Sequence, residues 1–351
     1  MMTSMTMKRQ VGAMLNSMLG VAHVKIVRTS ELDELRRDNP VLFAKPSFSR
    51  SPLAKSDETY LQPSNPKLKA LQDRYAALRI PPVDHSHWTG RYVSSNIDLR
   101  FFRGDNAYIY QYRDGNHEVN YVLTTYYLPK VDQLGLLQKL DEDGLFGTYV
   151  FDVNGQTVSR DLLDSIVQIS FLERHLGISR MPRLNVLDIG AGYGRLAHRM
   201  TQALSNIGTY MCVDAVAEST FISDYYLQFR GVAQRAVVVP IFDLEEKLAN
   251  TPIDLALNVH SFPECTLAST AWWLDVVRKN RIKYLLIIPN SDSHGGTMLL
   301  STEKDRSRQD LLPVINSKGY KLKVREPKYA DPSLQNHGVT PTYHYLFELS
   351  S

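Results

Sequence analysis

Three glycines and two aspartates stand where this sequence most plainly prepares for a ligand. In "VLDIGAGYGRLAHRM", Val186 to Met200, an apolar run carries Asp188, and Gly190, Gly192 and Gly194 follow before a helical pattern begins, with Ala191 between the first two. Glycines so closely spaced let a ligand approach the backbone. The G-x-G-x-x-G fingerprint of dinucleotide sites needs a glycine where this chain has Arg195, and the G-K-[ST] of a P-loop does not follow. A phosphate would use the helix N-terminus as an anion site. A ligand with an ammonium group would use a carboxylate instead, and Asp188 is placed to supply one. Asp214 ends the next apolar run, "MCVD", twenty residues after Gly194, and Ala215 follows it. A carboxylate at such a strand end can accept both hydroxyls of a ribose. In "VVVPIFDLEEKL", Phe242 is placed to lie against a purine face and Asp243 to accept its exocyclic amine. Asp243 reads equally as the N-cap of the helix "LEEKL". An adenosine with a ribose clamp, no phosphate and a charged amino-acid tail is S-adenosylmethionine.

The elements that must position these residues form a regular alternation. Short apolar strands are expected near Asn185–Ile189, Thr209–Val213, Ala236–Pro240, Asp254–Val259 and Lys283–Ile288. Helices are expected near Arg195–Leu204, Glu218–Phe229, Leu244–Ala249 and Thr266–Lys279. Strands that read as continuous apolar runs belong to a parallel sheet covered on both faces. Two later strands, Tyr320–Arg325 and Tyr343–Leu349, read as a closing hairpin. The expected fold is α/β: a doubly wound, mainly parallel, Rossmann-like sheet, with ligands at the carboxyl ends of its strands. "SRDLLDSIVQISFLERHLG" precedes it as a helix ended by Gly177. The chain divides into an N-terminal helix and extended arm (1–84), an accessory region acting as lid or oligomerisation element (85–180), and the cofactor-binding domain (181–351).

The D-x-G-x-G-x-G turn and the acidic end of the second strand together resemble the class I S-adenosylmethionine-dependent methyltransferases. Four stretches are similar to a narrower family, the sugar O-methyltransferases of bacterial glycan and polysaccharide clusters. They are the glycine turn with Tyr193 and its Arg-Leu-Ala continuation, "YMCVDAVAESTFISDYYLQF", "DLALNVHSFPEC", and "KLDEDGLFGTYVFDVNGQTVSRDLLDSIVQISFL". The likeness runs roughly from Ser86 to Ser351. Cys265, where the family pattern has methionine, and the arm before Ser86 depart from it. The resemblance implies a methyltransferase fold, S-adenosylmethionine as cofactor, and a glycan, nucleotide sugar or glycolipid as acceptor in polysaccharide biosynthesis.

The implied reaction is attack of a hydroxyl oxygen on a sulfonium methyl group. An alcohol needs a positioned base. The loop after the fourth strand, "NVHSFPEC", offers Asn258 to the cofactor, and His260 and Glu264 to the chemistry. An ordinary histidine pKa near 6.5 makes His260 the expected base, with turnover rising through that pH. Glu264 is expected to orient the ring or bind a sugar hydroxyl. A lone histidine at a strand end is also a common structural residue. Tyr225, Tyr226, Trp88, His294 and His337 are candidates to grip a sugar, although an aromatic on an amphipathic helix is often core. Asn290, Asp292 and His344 lie on the same group of segments. Asp292 with a second acid could hold a divalent metal, but no spaced ligand set indicates one.

Composition narrows the setting. The chain has 351 residues, 43% hydrophobic and 22% charged, with a formal net charge of +3 that neither demands nor excludes nucleic acid. Only Cys212 and Cys265 are present, which suits a reducing compartment such as the cytoplasm. No apolar run is long enough to span a membrane. Val11, Met14, Leu15, Met18, Leu19 and Ala22 recur at helical spacing after Lys8 and Arg9. They predict an amphipathic helix, which would pack on the protein, on a second subunit, or peripherally on the inner membrane, with a signal peptide as the alternative. The arm from Lys8 to Lys55 lacks the dense basic stripe with interleaved aromatics of an RNA-binding surface, and no Asn-Pro-Pro-Tyr signature follows the fourth strand. RNA methylation and methylation of a small natural product stand behind the sugar reading.

Overall fold

The computed structural model describes residues 47–48, 53–104, 106–108, 111, 118–290 and 298–350. The first part carries β1 (Ser47–Phe48), α1 (Lys55–Tyr60), α2 (Pro66–Ala77), α3 (Gly90–Asn96), α4 (Glu118–Tyr127), α5 (Leu136–Lys139), β2 (Tyr149–Val153), β3 (Gln156–Val158) and α6 (Arg160–Leu176). The alternation follows as β4 (Leu184–Ile189), α7 (Arg195–Ala203), β5 (Ile207–Val213), α8 (Ala217–Phe229), β6 (Ala236–Val238), α9 (Leu244–Ala249), β7 (Leu255–Val259), α10 (Leu267–Lys279) and β8 (Tyr284–Ile288). It closes with α11 (Leu312–Ser317), β9 (Tyr320–Pro327), α12 (Pro332–His337) and β10 (Tyr343–Leu349).

Seven strands form one sheet in the order β6-β5-β4-β7-β8-β10-β9. The first five are parallel, and β10 runs antiparallel to both its neighbours. Every residue of β4 is buried, which explains its unbroken apolar run. Strand order reverses at β4. The chain runs from β4 out to β5 and β6 and returns to the other side of β4 at β7, so the right-handed crossovers that leave β4 and β7 run in opposite directions and a crevice opens above these two strands. Asp188 pairs across with Cys212 of β5 and Leu257 of β7, so the register brings the ends of three strands to that crevice. This is the α/β, doubly wound, mainly parallel architecture expected from the alternation.

Local chemistry accounts for the helix that leads into the sheet. Ser159 caps α6 by accepting the Leu162 N–H at 3.1 Å, and Gly177 stops it at φ 62°. Residues Arg160 to Glu173 of α6 are all buried.

One expectation changes. The polar segment before Asp84 is not an extended arm over its described part. It forms α1 and α2, because Leu68, Leu71 and Tyr75 make a buried stripe within polar composition, and Asn65 with Pro66 starts α2. Of the described residues between Ser86 and β2, Gly90–Asn96, Glu118–Tyr127 and Leu136–Lys139 are α-helical, as α3, α4 and α5. The amphipathic pattern from Val11 to Ala22 lies outside the described residues. Among the described residues, no helix is long and apolar enough to cross a membrane.

A buried ionic knot joins the segments that precede the sheet to α7, within one compact unit that spans Lys45–Ser351. Arg103, fully buried, donates to both oxygens of Glu142 at 2.8 Å and to Asp161 at 3.0 Å. Arg199 of α7 donates to the same two acids, at 3.1 Å to Asp161 and 2.8 Å to Glu142. Two guanidinium groups thus face two carboxylates, which satisfies charges that would be costly to bury alone.

Candidate active site

The glycine turn that leaves β4 is left-handed at three positions. Gly190, Gly192 and Gly194 have φ of 73°, 58° and 83°, values that side-chain-bearing residues rarely adopt. Protein also crowds the turn. A Cβ on Gly190 would lie 2.5 Å from Cβ of Ser261, and one on Gly194 would lie 2.8 Å from Oγ of Ser223. Part of what comes so close to this backbone is therefore the loop after β7 and helix α8. At Gly192 the neighbour is Tyr108, whose ring would lie 3.3 Å from an added Cβ.

The turn, the end of β5 and the loop after β7 surround one cavity. Asp188, Gly190, Ala191, Gly192, Asp214, Ala215, His260 and Glu264 all line it. Segments that precede the sheet add His85, His87, Trp88, Tyr92 and Tyr108 to the lining. Arg160, Asp164 and Arg195 complete the end near His260.

Asp188 is buried and Asp214 and Glu264 are partly buried, and desolvation in the cavity sets their protonation. Asp188 accepts the Tyr210 hydroxyl at 2.8 Å, yet desolvation pushes its carboxyl up to about 6. Asp214 accepts the Val216 N–H at 2.9 Å and the Gly192 N–H at 3.0 Å. Burial pushes it up to about 6 as well, with those two N–H groups opposing the rise. Asp214 thus shapes the glycine turn as well as facing the cavity. Glu264 is held at both oxygens: the Trp88 indole N–H donates to one at 2.7 Å, and the Asn290 amide to the other at 2.8 Å. Burial raises Glu264 to about 7 despite these donors. Ser86 adds a hydroxyl bond to the Glu264 carbonyl at 3.1 Å.

His260 sits at φ 68°, and its N–H donates to the Ile288 carbonyl at 2.8 Å. Its imidazole does not keep the ordinary pKa expected from the sequence. Burial, joined by the positive charge of Arg160, lowers it to about 3, so the ring is neutral at physiological pH.

Other expected residues stand elsewhere. Asn258 is fully buried below the cavity, donating to the Ile189 carbonyl at 2.9 Å and accepting the Phe262 N–H at 2.8 Å. It ties the end of β4 to the loop after β7. Phe242 and Asp243 lie beyond the cavity lining, next to Arg74 of α2. Asp243 precedes α9 without a capping side-chain bond. Tyr226 is fully buried, hydrogen-bonded to His198 at 3.1 Å, and Tyr225 stacks on Tyr60 at 5.5 Å. Neither lines the cavity, because α8 turns that face toward α1 and the ionic knot. His337 is exposed at the end of α12, and His344 is buried in β10. Asp292 and His294 lie outside the described residues. Among the described residues, no cluster of three or more His, Cys, Asp or Glu is arranged to hold a metal.

The aromatic wall was less legible in the sequence. Trp88 stacks on Tyr108 at 5.7 Å and meets Tyr92 edge-on at 5.5 Å, while His87 lies 4.3 Å from Tyr92. Trp88, a candidate from the sequence, does line the cavity, and the signal for its neighbours was the density of aromatics after His85.

No family model matches this chain, and no curated protein matches it. Among solved structures it is similar to magnesium protoporphyrin IX methyltransferase from Synechocystis PCC 6803 with bound SAM: 11% identity over 65% of this chain and 97% of that one, TM-score 0.38. It is also similar to an S-adenosylmethionine-dependent methyltransferase from Clostridium acetobutylicum ATCC 824, at 13% identity over 53% of this chain and 91% of that one, TM-score 0.36. A third is mitomycin 7-O-methyltransferase, at 16% identity over 54% of this chain and 57% of that one, TM-score 0.35. These are distant likenesses, and the fold assignment rests on the strand order and register of the chain itself.

Proposed function

We propose that this chain is an S-adenosylmethionine-dependent O-methyltransferase acting on a carbohydrate hydroxyl. The observation that carries the reading is the meeting, in one cavity at the reversal of strand order, of Asp188, the left-handed glycine turn and Asp214 with Glu264. The residues fit the cofactor: Asp188 would take its ammonium group, the glycine turn its amino-acid tail, and Asp214 its ribose. When bound, that cofactor supplies a methyl group activated by a sulfonium.

The work of the chain itself is at the acceptor oxygen. We assign the base to Glu264, whose carboxyl titrates near neutral pH and whose two oxygens are oriented by Trp88 and Asn290. Neutral His260 then packs the end of the cavity and can exchange hydrogen bonds with an acceptor, but its low pKa makes it a weak base. The wall of His87, Trp88 and Tyr92 supports a sugar, since a pyranose offers an apolar C–H face beside its hydroxyls. The same wall favours a second reading, methylation of a small aromatic natural product.

Calorimetry with S-adenosylhomocysteine is the first test, and binding is expected. Carbohydrate and phenol pools incubated with methyl-labelled S-adenosylmethionine are then compared by mass spectrometry, with label expected on a saccharide. Tight NAD binding with no response to S-adenosylhomocysteine overturns the cofactor, and label confined to phenols overturns the sugar.

A further inference from the structure

The face of Phe242 that the sequence offers to a purine is covered by a side chain of the same molecule. The Arg74 guanidinium carbon lies 3.3 Å from the centre of the Phe242 ring. One terminal nitrogen of Arg74 is 3.7 Å from Asp243 Oδ1. A guanidinium is flat and delocalised, and N–H donors rim its edge. Its cationic centre covers the Phe242 ring and its edge stands in ion-pair range of Asp243, the two places where an adenine ring and its exocyclic amine would lie.

The next residue closes the gap toward the ribose side. The Tyr75 ring meets Phe242 edge-on, 5.6 Å between centres. Its hydroxyl donates to the Asp214 carbonyl at 3.1 Å, accepts the Ile241 N–H at 3.3 Å, and shares a 2.7 Å bond with Thr220. Tyr75 is buried and fixed at four points. Arg74 is its opposite: its side chain is 59% exposed, and Asp243 is 41% exposed. Arg74 can leave for water without stranding a buried charge. The other ties of α2 to α8, Lys67 to Asp224 at 2.5 Å and Gln72 to Glu218 at 2.7 Å, need not move.

We propose that Arg74 is an intramolecular stand-in for the purine, seated on Phe242 beside Asp243 when no cofactor is bound and displaced into solvent by adenine. The proposal rests on the S-adenosylmethionine reading and deepens it: Arg74 competes with the cofactor for one seat. Removing a competitor raises affinity, whereas removing a wall of the site lowers it, so the sign decides.

The test is calorimetric titration of the full chain with S-adenosylhomocysteine, comparing wild type with Arg74→Ala and Phe242→Ala. An exposed cation–π contact is worth roughly two- to five-fold in an equilibrium constant. Arg74→Ala should therefore bind about two- to five-fold tighter, and Phe242→Ala should bind more weakly than wild type. A thermal midpoint of Arg74→Ala close to that of wild type confirms that the fold is intact. Equal or weaker binding by Arg74→Ala, with wild type still binding, overturns the stand-in and leaves the cofactor reading in place. If wild type itself shows no binding, the cofactor reading falls, and the stand-in falls with it.

Discussion

The phenol of Tyr193, in the middle of the glycine turn, donates a 2.8 Å hydrogen bond to Asp161 at the start of α6. Asp161 is the hub of the ionic knot, so the cavity floor is fastened to the same carboxylate that receives Arg103 and Arg199. Burial alone would raise the Asp161 carboxyl, but the two guanidinium groups hold it well below the usual carboxylate range. Its folded pKa is depressed, so its stabilisation is present above the unfolded value near 3.9 and is lost as pH falls below that. Asp161→Ala leaves two buried cations short of a partner and should cost about 3–5 kcal/mol in urea unfolding. Tyr193→Phe keeps the ring and should cost about 1–2 kcal/mol, with weaker S-adenosylhomocysteine binding because the turn loses its anchor. Unchanged stability in Asp161→Ala would show the knot to be dispensable.

Asp214 has two duties that one substitution can separate. Its carboxylate accepts two backbone N–H groups and faces the cavity. Asp214→Ala should weaken S-adenosylhomocysteine binding by about 1–3 kcal/mol and lower the thermal midpoint. Asp214→Asn keeps one of the two acceptors and turns its NH2 toward the other backbone N–H, so it should recover part of the stability but little of the affinity. If Asn restores both, the carboxylate serves only the turn.

Glu264 makes a pH signature in stability as well as in turnover. Its folded pKa, about 7, lies above the unfolded value near 4.3, so the folded state binds the proton more tightly. Wild-type stability should therefore fall, through this group, as pH rises from about 4.3 to about 7. Glu264→Gln removes that dependence, so chemical denaturation should find its stability flat between pH 5 and pH 8, where that of wild type falls by about 1–3 kcal/mol, although its amide nitrogen must face the Trp88 or the Asn290 N–H. Its turnover should fall about 10²–10⁴-fold with S-adenosylhomocysteine affinity retained. The wild-type rate should rise through pH 7, since only the ionised carboxylate accepts a proton. His260→Ala should lower the rate without moving that limb, and a limb that moves would return the base role to His260.

The accessory part is expected to be indispensable to the fold around the cavity. A fragment of residues 185–351 lacks α6, buried from Arg160 to Glu173, and all of Arg103, Glu142 and Trp88. Circular dichroism and gel filtration should find it aggregated or unfolded. A soluble fragment that turns over the acceptor as well as the full chain would refute this.

The sequence by itself determined what depends on neighbours along the chain. Period and apolar runs located β4, β5, β7 and β8, because strands covered on both faces must be apolar throughout. Gly190, Gly192 and Gly194 announced a left-handed turn, because little else adopts such φ values. The aspartates at the ends of β4 and β5 were legible for the same local reason. Tertiary structure alone decided what meets across long separations. Trp88 reaches Glu264 over 176 positions, and nothing near either residue encodes the pairing. Arg74 covers Phe242 because α2 packs on α8, although a polar stretch with three apolar anchors reads as a linker. The adjacent pair Tyr225 and Tyr226 looked like a sugar grip, but the face that α8 turns inward put them against other aromatics, away from the cavity. The pKa of His260 was the least legible of all, because burial and the charge of Arg160, a hundred residues earlier, set it.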